Sequence, residues 1–391
     1  MPIKLSSLKN FTTRFSIPND ELLDLSRRLS QTRWPITPEG NPWEYGTSLD
    51  YLHQVVEFWL QDFDWRTREQ QLNRHLHIVV PISGRTVHAV VIPSEKGRRP
   101  PILLAHGWPG SFVEFLDVGE RLAHPEKFGG IAAEGSTVII PSLPGCGLSS
   151  APATPIAPRE IANDWLHLMT NTLSIDKFAV HGGDWGAAIA SWLAVDASNV
   201  LHGIHLTSAI IQPDLDAAPE LTDEEQSFLN QRASRGPWDN GYRVMQGSKP
   251  LTLSYGLTDS PVGLASWLLE KYQSWGESHG TQNSPEIPLD KMLTIINLYW
   301  FAGPGPSTWI YRSWVNGTAL KFPSGVRVNV PTAICSFHHD ISPVSPDAWQ
   351  QRCYNVVRRV TIDHGGHFPG LDAPLALAED IREFVGEIAK N

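Results

Sequence analysis

No stretch constrains the fold of this chain more than Lys177-Phe178-Ala179-Val180-His181-Gly182-Gly183-Asp184-Trp185-Gly186-Ala187-Ala188-Ile189-Ala190. An apolar run ends at His181, small residues surround Asp184, and a small-residue helical pattern follows at once. That order predicts a strand, a sharp turn and a helix. The spacing Gly182-Gly183-Asp184-Trp185-Gly186 is that of a nucleophile elbow, in which glycine lets strand and helix pack closely around a strained, exposed residue. Asp184 sits at the tip.

An aspartate there decides the chemistry. A serine hydroxyl needs a base before it attacks, and on a saturated carbon it would leave an ether that water does not readily cleave. A carboxylate is already anionic at neutral pH. Its attack on an sp3 carbon gives an ester, whose carbonyl water then hydrolyses. The implied substrate carries an electrophilic alkyl carbon, in an epoxide or a carbon-halogen bond. The plain alternative is a helix-capping aspartate, a residue type that strand-to-helix turns favour for their own reasons.

With 391 residues and 41% hydrophobic content, the chain can bury a large core, as one elaborated α/β domain or as two domains. A net charge of −10 without any long lysine and arginine cluster speaks against nucleic-acid or anionic-membrane partners. Cys146, Cys335 and Cys353 are too few and scattered for a disulfide framework or a zinc site, which fits a reducing compartment, the cytoplasm by default. The first twenty residues lack the continuous apolar stretch of a signal peptide or membrane span.

In chain order, helices are predicted over 18–28 and 51–60, a helical meander filling 1–74. Strands over 75–80 and 85–92 make an antiparallel hairpin. A buried strand over 101–106 runs into Gly107-Trp108-Pro109-Gly110-Ser111 and a helix over 112–122. A strand over 136–141, a turn-rich loop over 142–147 and a helix over 159–173 lead to the elbow, and a strand over 202–207 follows it. From 208 to about 322 the alternation stops, and a mostly helical insertion, bounded at 213–322, is expected to lie over the strand ends as a lid. Strands over 331–337 and 356–362 and helices over 345–351 and 374–389 complete the chain. Crossover spacing predicts a mainly parallel sheet with helices on both faces, its core split into 75–212 and 323–391. No internal repeat or low-complexity segment interrupts it.

Together, His106-Gly107-Trp108-Pro109, the elbow, the lid stretch from Gly241-Tyr242 to Trp267, and Gly365-Gly366-His367-Phe368 resemble the microsomal-type epoxide hydrolases of the α/β-hydrolase superfamily. The resemblance covers essentially the whole chain, including the amino-terminal meander, and lacks the membrane-anchor helix of some members. It implies an α/β-hydrolase fold of the bacterial or fungal type, acting without cofactor or metal on a small-molecule epoxide, with a homodimer as the family-based expectation. Cys146 stands in the Pro144-Gly145-Cys146-Gly147 loop, where the family usually carries an aromatic residue.

Carried over residue by residue, the resemblance makes Asp184 the nucleophile and His367, not His364, the base that deprotonates water. Asp340, just past the strand over 331–337, becomes the acid that orients His367, with Asp214 and Asp216 as the fallback. Tyr242 and Tyr311 become donors to the epoxide oxygen, while Tyr255, Tyr272 and Tyr299 are left as packing residues. The backbone N-H groups of Trp108 and Trp185 are expected to form an oxyanion hole, with the Trp108-Pro109 bond cis. The rings of Trp108, Trp185 and Phe368 are expected to line the substrate pocket. His338-His339-Asp340 does not read as a metal site, because three successive residues do not readily converge on one ion. A haloalkane dehalogenase shares the Asp-Trp-Gly triplet but has no need of the two tyrosines. A degenerate receptor on the same fold would be expected to lack a catalytic position, and none is missing.

Overall fold

The computed structural model describes residues 8–390 apart from 214, 216–219, 235–239, 278–284, 318 and 342. Its strands are β1 (Thr12–Thr13), β2 (Leu76–Ile82), β3 (Arg85–Ile92), β4 (Ile102–Ala105), β5 (Val138–Pro141), β6 (Phe178–Gly182), β7 (Leu201–Leu206), β8 (Val328–Phe337) and β9 (Tyr354–Ile362). They form one sheet in the order β1-β2-β3-β5-β4-β6-β7-β8-β9. The pairs β1/β2, β2/β3 and β3/β5 are antiparallel, and the others are parallel. Every residue of β4, β5 and β6 is buried, as expected of short apolar strands covered on both faces. β9, at the edge, alternates between exposed and partly covered residues along most of its length, and the exposed charge of Arg359 on it discourages further pairing.

The sheet order positions the site. β5 lies on one side of β4 and β6 on the other, so the direction of winding reverses at β4, and a crevice opens beyond the carboxyl ends of β4 and β6. Ala105 and Gly182, the last residues of those strands, are in register. Whatever follows them must therefore meet: the His106-Gly107-Trp108-Pro109 turn on one side and Asp184 on the other.

Among the elements additional to those expected are a short first strand and a third amino-terminal helix. β1 is only two residues long and carries no periodicity. The helix Trp65–Leu72 is mostly polar and buries only Trp65, Glu69 and Leu72. Its signal was the N-cap Asp64, which accepts from the N-H groups of Arg66 and Thr67. Buried Glu69 accepts from the Ile17 N-H and Trp65 Nε1, so this short helix ties the amino-terminal segment to the rest of the chain. The helix expected over 112–122 is a 3-10 turn, Phe112–Phe115, followed by Leu116–Ala123. That over 159–173 is Pro158–His167 continued by a π turn.

Between β7 and β8 the helices include Gly241–Ser248, Pro261–Trp275, Leu289–Ala302 and Tyr311–Val315. Asp214 and Asp216 lie outside the described residues. Among the described residues, no helix is long and apolar enough to cross a membrane.

Candidate active site

The elbow forms where β6 ends. Asp184 holds φ 47° and ψ −128°, in the positive-φ region that non-glycine residues seldom adopt, and the helix Trp185–Asp196 begins at the next residue. Glycine makes this approach feasible: a Cβ at Gly186 would lie 1.9 Å from the Ala105 carbonyl oxygen, and one at Gly107 would lie 2.3 Å from Asp184 Oδ1. The Trp108 N-H donates to Asp184 Oδ1 at 2.9 Å, and the Trp108-Pro109 bond is cis.

Two tyrosines expected only to pack have a further task. The Tyr272 hydroxyl donates to the Pro109 carbonyl at 2.9 Å and the Tyr299 hydroxyl to the Gly110 carbonyl at 2.8 Å, both buried. Leaving a buried partner unsatisfied costs about 1–3 kcal/mol, so these bonds fix the turn that carries the Trp108 N-H. Tyr255, the third of that group, does not pack: it is 72% exposed.

His367 arrives from the loop after β9. Gly365 turns the chain at φ 87°, Gly366 N-H donates to Asp372 Oδ2 at 2.9 Å, and His367 N-H donates to the Trp275 carbonyl at 2.8 Å. The imidazole stands between two carboxylates, with Nδ1 3.0 Å from Asp340 Oδ1 and Nε2 3.6 Å from Asp184 Oδ2. Burial would lower its pKa, but Asp340 and Asp184 outweigh that and raise it to about 10. Burial would likewise raise Asp184, but His367 and the backbone N-H groups of Trp185 and Trp108 hold it below its ordinary range. Both shifts favour the carboxylate and imidazolium forms of the resting pair. His364 is exposed.

A cavity of about 120 Å³ lies over Asp184 and is lined by Trp185, Tyr242, Tyr311, Arg243 and His367 among others. One water needs roughly 10–15 Å³ on the same measure, so this space takes a small organic molecule. Tyr242 and Tyr311 meet edge to face, with ring centroids 5.8 Å apart. Burial raises the Tyr242 pKa and pushes that of Tyr311 well above the ordinary phenol range.

Trp108 and Phe368 line a second, smaller cavity and not this one. Of the three rings expected to line the substrate pocket, Trp185 lines the larger cavity, whereas Trp108, stacked on Tyr242, and Phe368, packed against Tyr272 and Trp275, do not. The second cavity measures about 10 Å³, room for one water, and is bounded by Asp184, His367, Glu114 and His181. Glu114 was missed in the sequence, where its signal was an acidic residue inside the apolar run Phe112-Val113-Glu114-Phe115. Burial pushes its carboxyl up to about 8.

His181 ends a buried array in which Arg358 pairs with Asp380, Asp380 accepts from His205 Nε2, and His205 Nδ1 lies 3.0 Å from His181 Nδ1. His181 Nε2 has no hydrogen-bond partner among the described residues. Cys146 lies outside both cavities, and burial pushes its thiol up to about 12.

Residues 9–115 match the model of the epoxide hydrolase N terminus, and residues 100–248 match that of the alpha/beta hydrolase fold. A Stigmatella aurantiaca protein assigned as an epoxide hydrolase is 35% identical over 372 residues, spanning 95% of this chain and 83% of the relative. The chain belongs to the epoxide hydrolase family. Its α/β-hydrolase fold superposes on Aspergillus niger epoxide hydrolase with a TM-score of 0.81 at 25% identity, covering 97% of this chain and 96% of the other. The juvenile hormone epoxide hydrolase of Bombyx mori gives 0.81 at 26% identity, covering 97% and 94%.

Proposed function

We propose that this epoxide hydrolase family member converts a small-molecule epoxide and water to a vicinal diol through an ester on Asp184. The observation that carries the reading is one cavity in which the Asp184 carboxylate faces Tyr242 and Tyr311, with His367 and Asp340 beside it. Asp184 attacks one epoxide carbon while the phenols meet the oxygen that leaves it. Ester formation neutralises Asp184, one of the two carboxylates that hold His367 as imidazolium. The imidazole pKa must then fall, and the base becomes available only when there is an ester to hydrolyse.

The small cavity beside Glu114 and His181 is where the attacking water is held in this reading, and the N-H groups of Trp108 and Trp185 receive the ester oxyanion. Water and side chains supply every step. The helical insertion acts as a lid. A cytoplasmic location and a homodimer belong to the same reading, supported for the former by three buried free cysteines; fractionation and sedimentation equilibrium test them. Incubation with aryl, alkyl and alicyclic epoxides beside matched haloalkanes should yield diol and no halide. Halide release without diol would make the protein a dehalogenase, and neither product would make it a binding protein.

Asp340 carries a further expectation. Asp340→Asn removes a negative charge 3.0 Å from His367 Nδ1, which destabilises imidazolium and disturbs the tautomer that points Nε2 at water. Ester hydrolysis should slow about 10²- to 10⁴-fold, and the rise of its rate with pH should move to lower pH. Stopped-flow kinetics across pH checks both. Full activity in this variant, with loss at Asp214 or Asp216 instead, would place the acid after β7.

A further inference from the structure

The two cavity tyrosines are not in equivalent surroundings. Arg243, next to Tyr242 on the helix Gly241–Ser248, points Nη2 at the Tyr242 hydroxyl oxygen from 3.4 Å. Its guanidinium rests 5.4 Å from the Trp314 ring centroid. Among the described residues Arg243 makes no ion pair, and the carboxylate that acts on it is Asp184, which lines the same cavity. A second cation reaches the same tyrosine from another helix: Lys271 Nζ, buried and paired with Glu270, lies 4.6 Å from the centroid of the Tyr242 ring. Tyr311 has none over its ring among the described residues, and meets Trp185 and Trp108 edge to face at 5.0 and 5.7 Å.

Charge moves during ring opening. Before attack the negative charge sits on Asp184; afterwards it sits on the epoxide oxygen or on whichever phenol has given that oxygen a proton. A phenolate is stabilised by a guanidinium hydrogen-bonded at its oxygen and by an ammonium over its ring face. Resting on the function proposed above, we infer that Arg243, backed by Lys271, makes Tyr242 the proton donor of the pair and leaves Tyr311 as a hydrogen-bond donor only. Arg243 is then a positioning residue acting through Tyr242.

The step balances. An Asp184 oxygen bonds to the epoxide carbon, the carbon-oxygen bond breaks with its electron pair going to oxygen, and the Tyr242 proton neutralises that oxygen. The proton His367 releases once the ester has neutralised Asp184 offsets the one Tyr242 has given. In hydrolysis, water returns one proton to His367 and supplies the other to the second product hydroxyl.

The groups that set the acidity of Tyr242 are Arg243 on its own helix, Lys271, Tyr311 and, across the cavity, Asp184. Burial raises Tyr242, whereas Arg243 and the Tyr311 hydroxyl pull it back; Arg243 also pulls on Tyr311, as the smallest of the effects there and without a hydrogen bond to its oxygen, and Tyr311 sits well above the phenol range.

The test is rapid-quench single turnover of styrene oxide by the full-length enzyme carrying Arg243→Met or Arg243→Lys, alone and with Tyr242→Phe or Tyr311→Phe. Arg243→Met should slow ester formation about 10- to 100-fold, the effect of a one- to two-unit loss of donor acidity, without slowing hydrolysis of preformed ester. Arg243→Lys keeps the charge and should recover most of that rate. In the Tyr242→Phe background Arg243→Met should cost less than about twofold more, and in the Tyr311→Phe background its full effect should persist. Ultraviolet titration of tyrosinate, read as wild type minus Tyr242→Phe, should move to higher pH in Arg243→Met, and this readout needs no turnover. Equal losses in both tyrosine backgrounds, an unmoved tyrosinate titration, or a change confined to the KM of epoxides bearing a carboxylate would overturn the assignment. A wild type inactive on every epoxide would instead remove the function proposed above.

Discussion

Replacing His367 with Gln should trap the ester on Asp184, so that enzyme mixed with a small epoxide gains the mass of one substrate while steady-state turnover falls about 10³- to 10⁴-fold. Ester formation asks only for an ionised Asp184 and a donor at the epoxide oxygen. Removing the imidazolium 3.6 Å away takes from Asp184 part of what offsets its burial, so this first step slows modestly but survives. Hydrolysis is different, because Gln cannot take a proton from water. Intact-protein mass spectrometry, followed by peptide mapping to the segment containing Asp184, reads the outcome. Diol formation at the wild-type rate with no mass gain would mean that His367 is not the base.

The pH dependence should follow the same logic. His367 lies between two carboxylates that raise it to about 10 in the resting enzyme, which favours the charged form that cannot act as a base. In the alkyl-enzyme one carboxylate has become an ester, the pKa falls, and hydrolysis should rise with pH through that lower value while ester formation does not share the midpoint. In the proposed mechanism electrostatics sets the order of events, the first step switching on the second.

Asp184, His367, Tyr242 and Tyr311 line one cavity, and the sequence pointed to them by two routes: the elbow spacing to Asp184, and the family resemblance of their short motifs to the other three. The elbow is the strongest case, since the need for Gly186 follows from the 1.9 Å that a Cβ would leave to the Ala105 carbonyl. The supporting residues are hidden because their partners are distant in sequence. Tyr272 reaches Pro109 across 163 residues and Tyr299 reaches Gly110 across 189, and no local pattern announces such bonds. Glu114 and His181 meet at the same small cavity only after β4 and β6 have paired.

Phe368 shows the converse error. It adjoins His367 in sequence, but with the His367 N-H held by the Trp275 carbonyl the following ring packs on Tyr272 and Trp275 of the helix Pro261–Trp275 and does not line the larger cavity. The helix Trp65–Leu72 escaped for a different reason, since with three buried positions in eight residues its apolar periodicity is too weak to detect.

The central claim is that the oxygen entering the diol comes from Asp184 and not directly from water, and isotope transfer in a single turnover tests it. With enzyme in excess over epoxide in oxygen-18 water, the first-turnover diol should carry no label and the label should appear on Asp184, because water attacks the ester carbonyl and not the alkyl carbon. Repeated turnover should then pass that label into product. Fully labelled diol in the first turnover, with Asp184 unlabelled, would contradict covalent catalysis and leave Asp184 at most a base for direct attack by water.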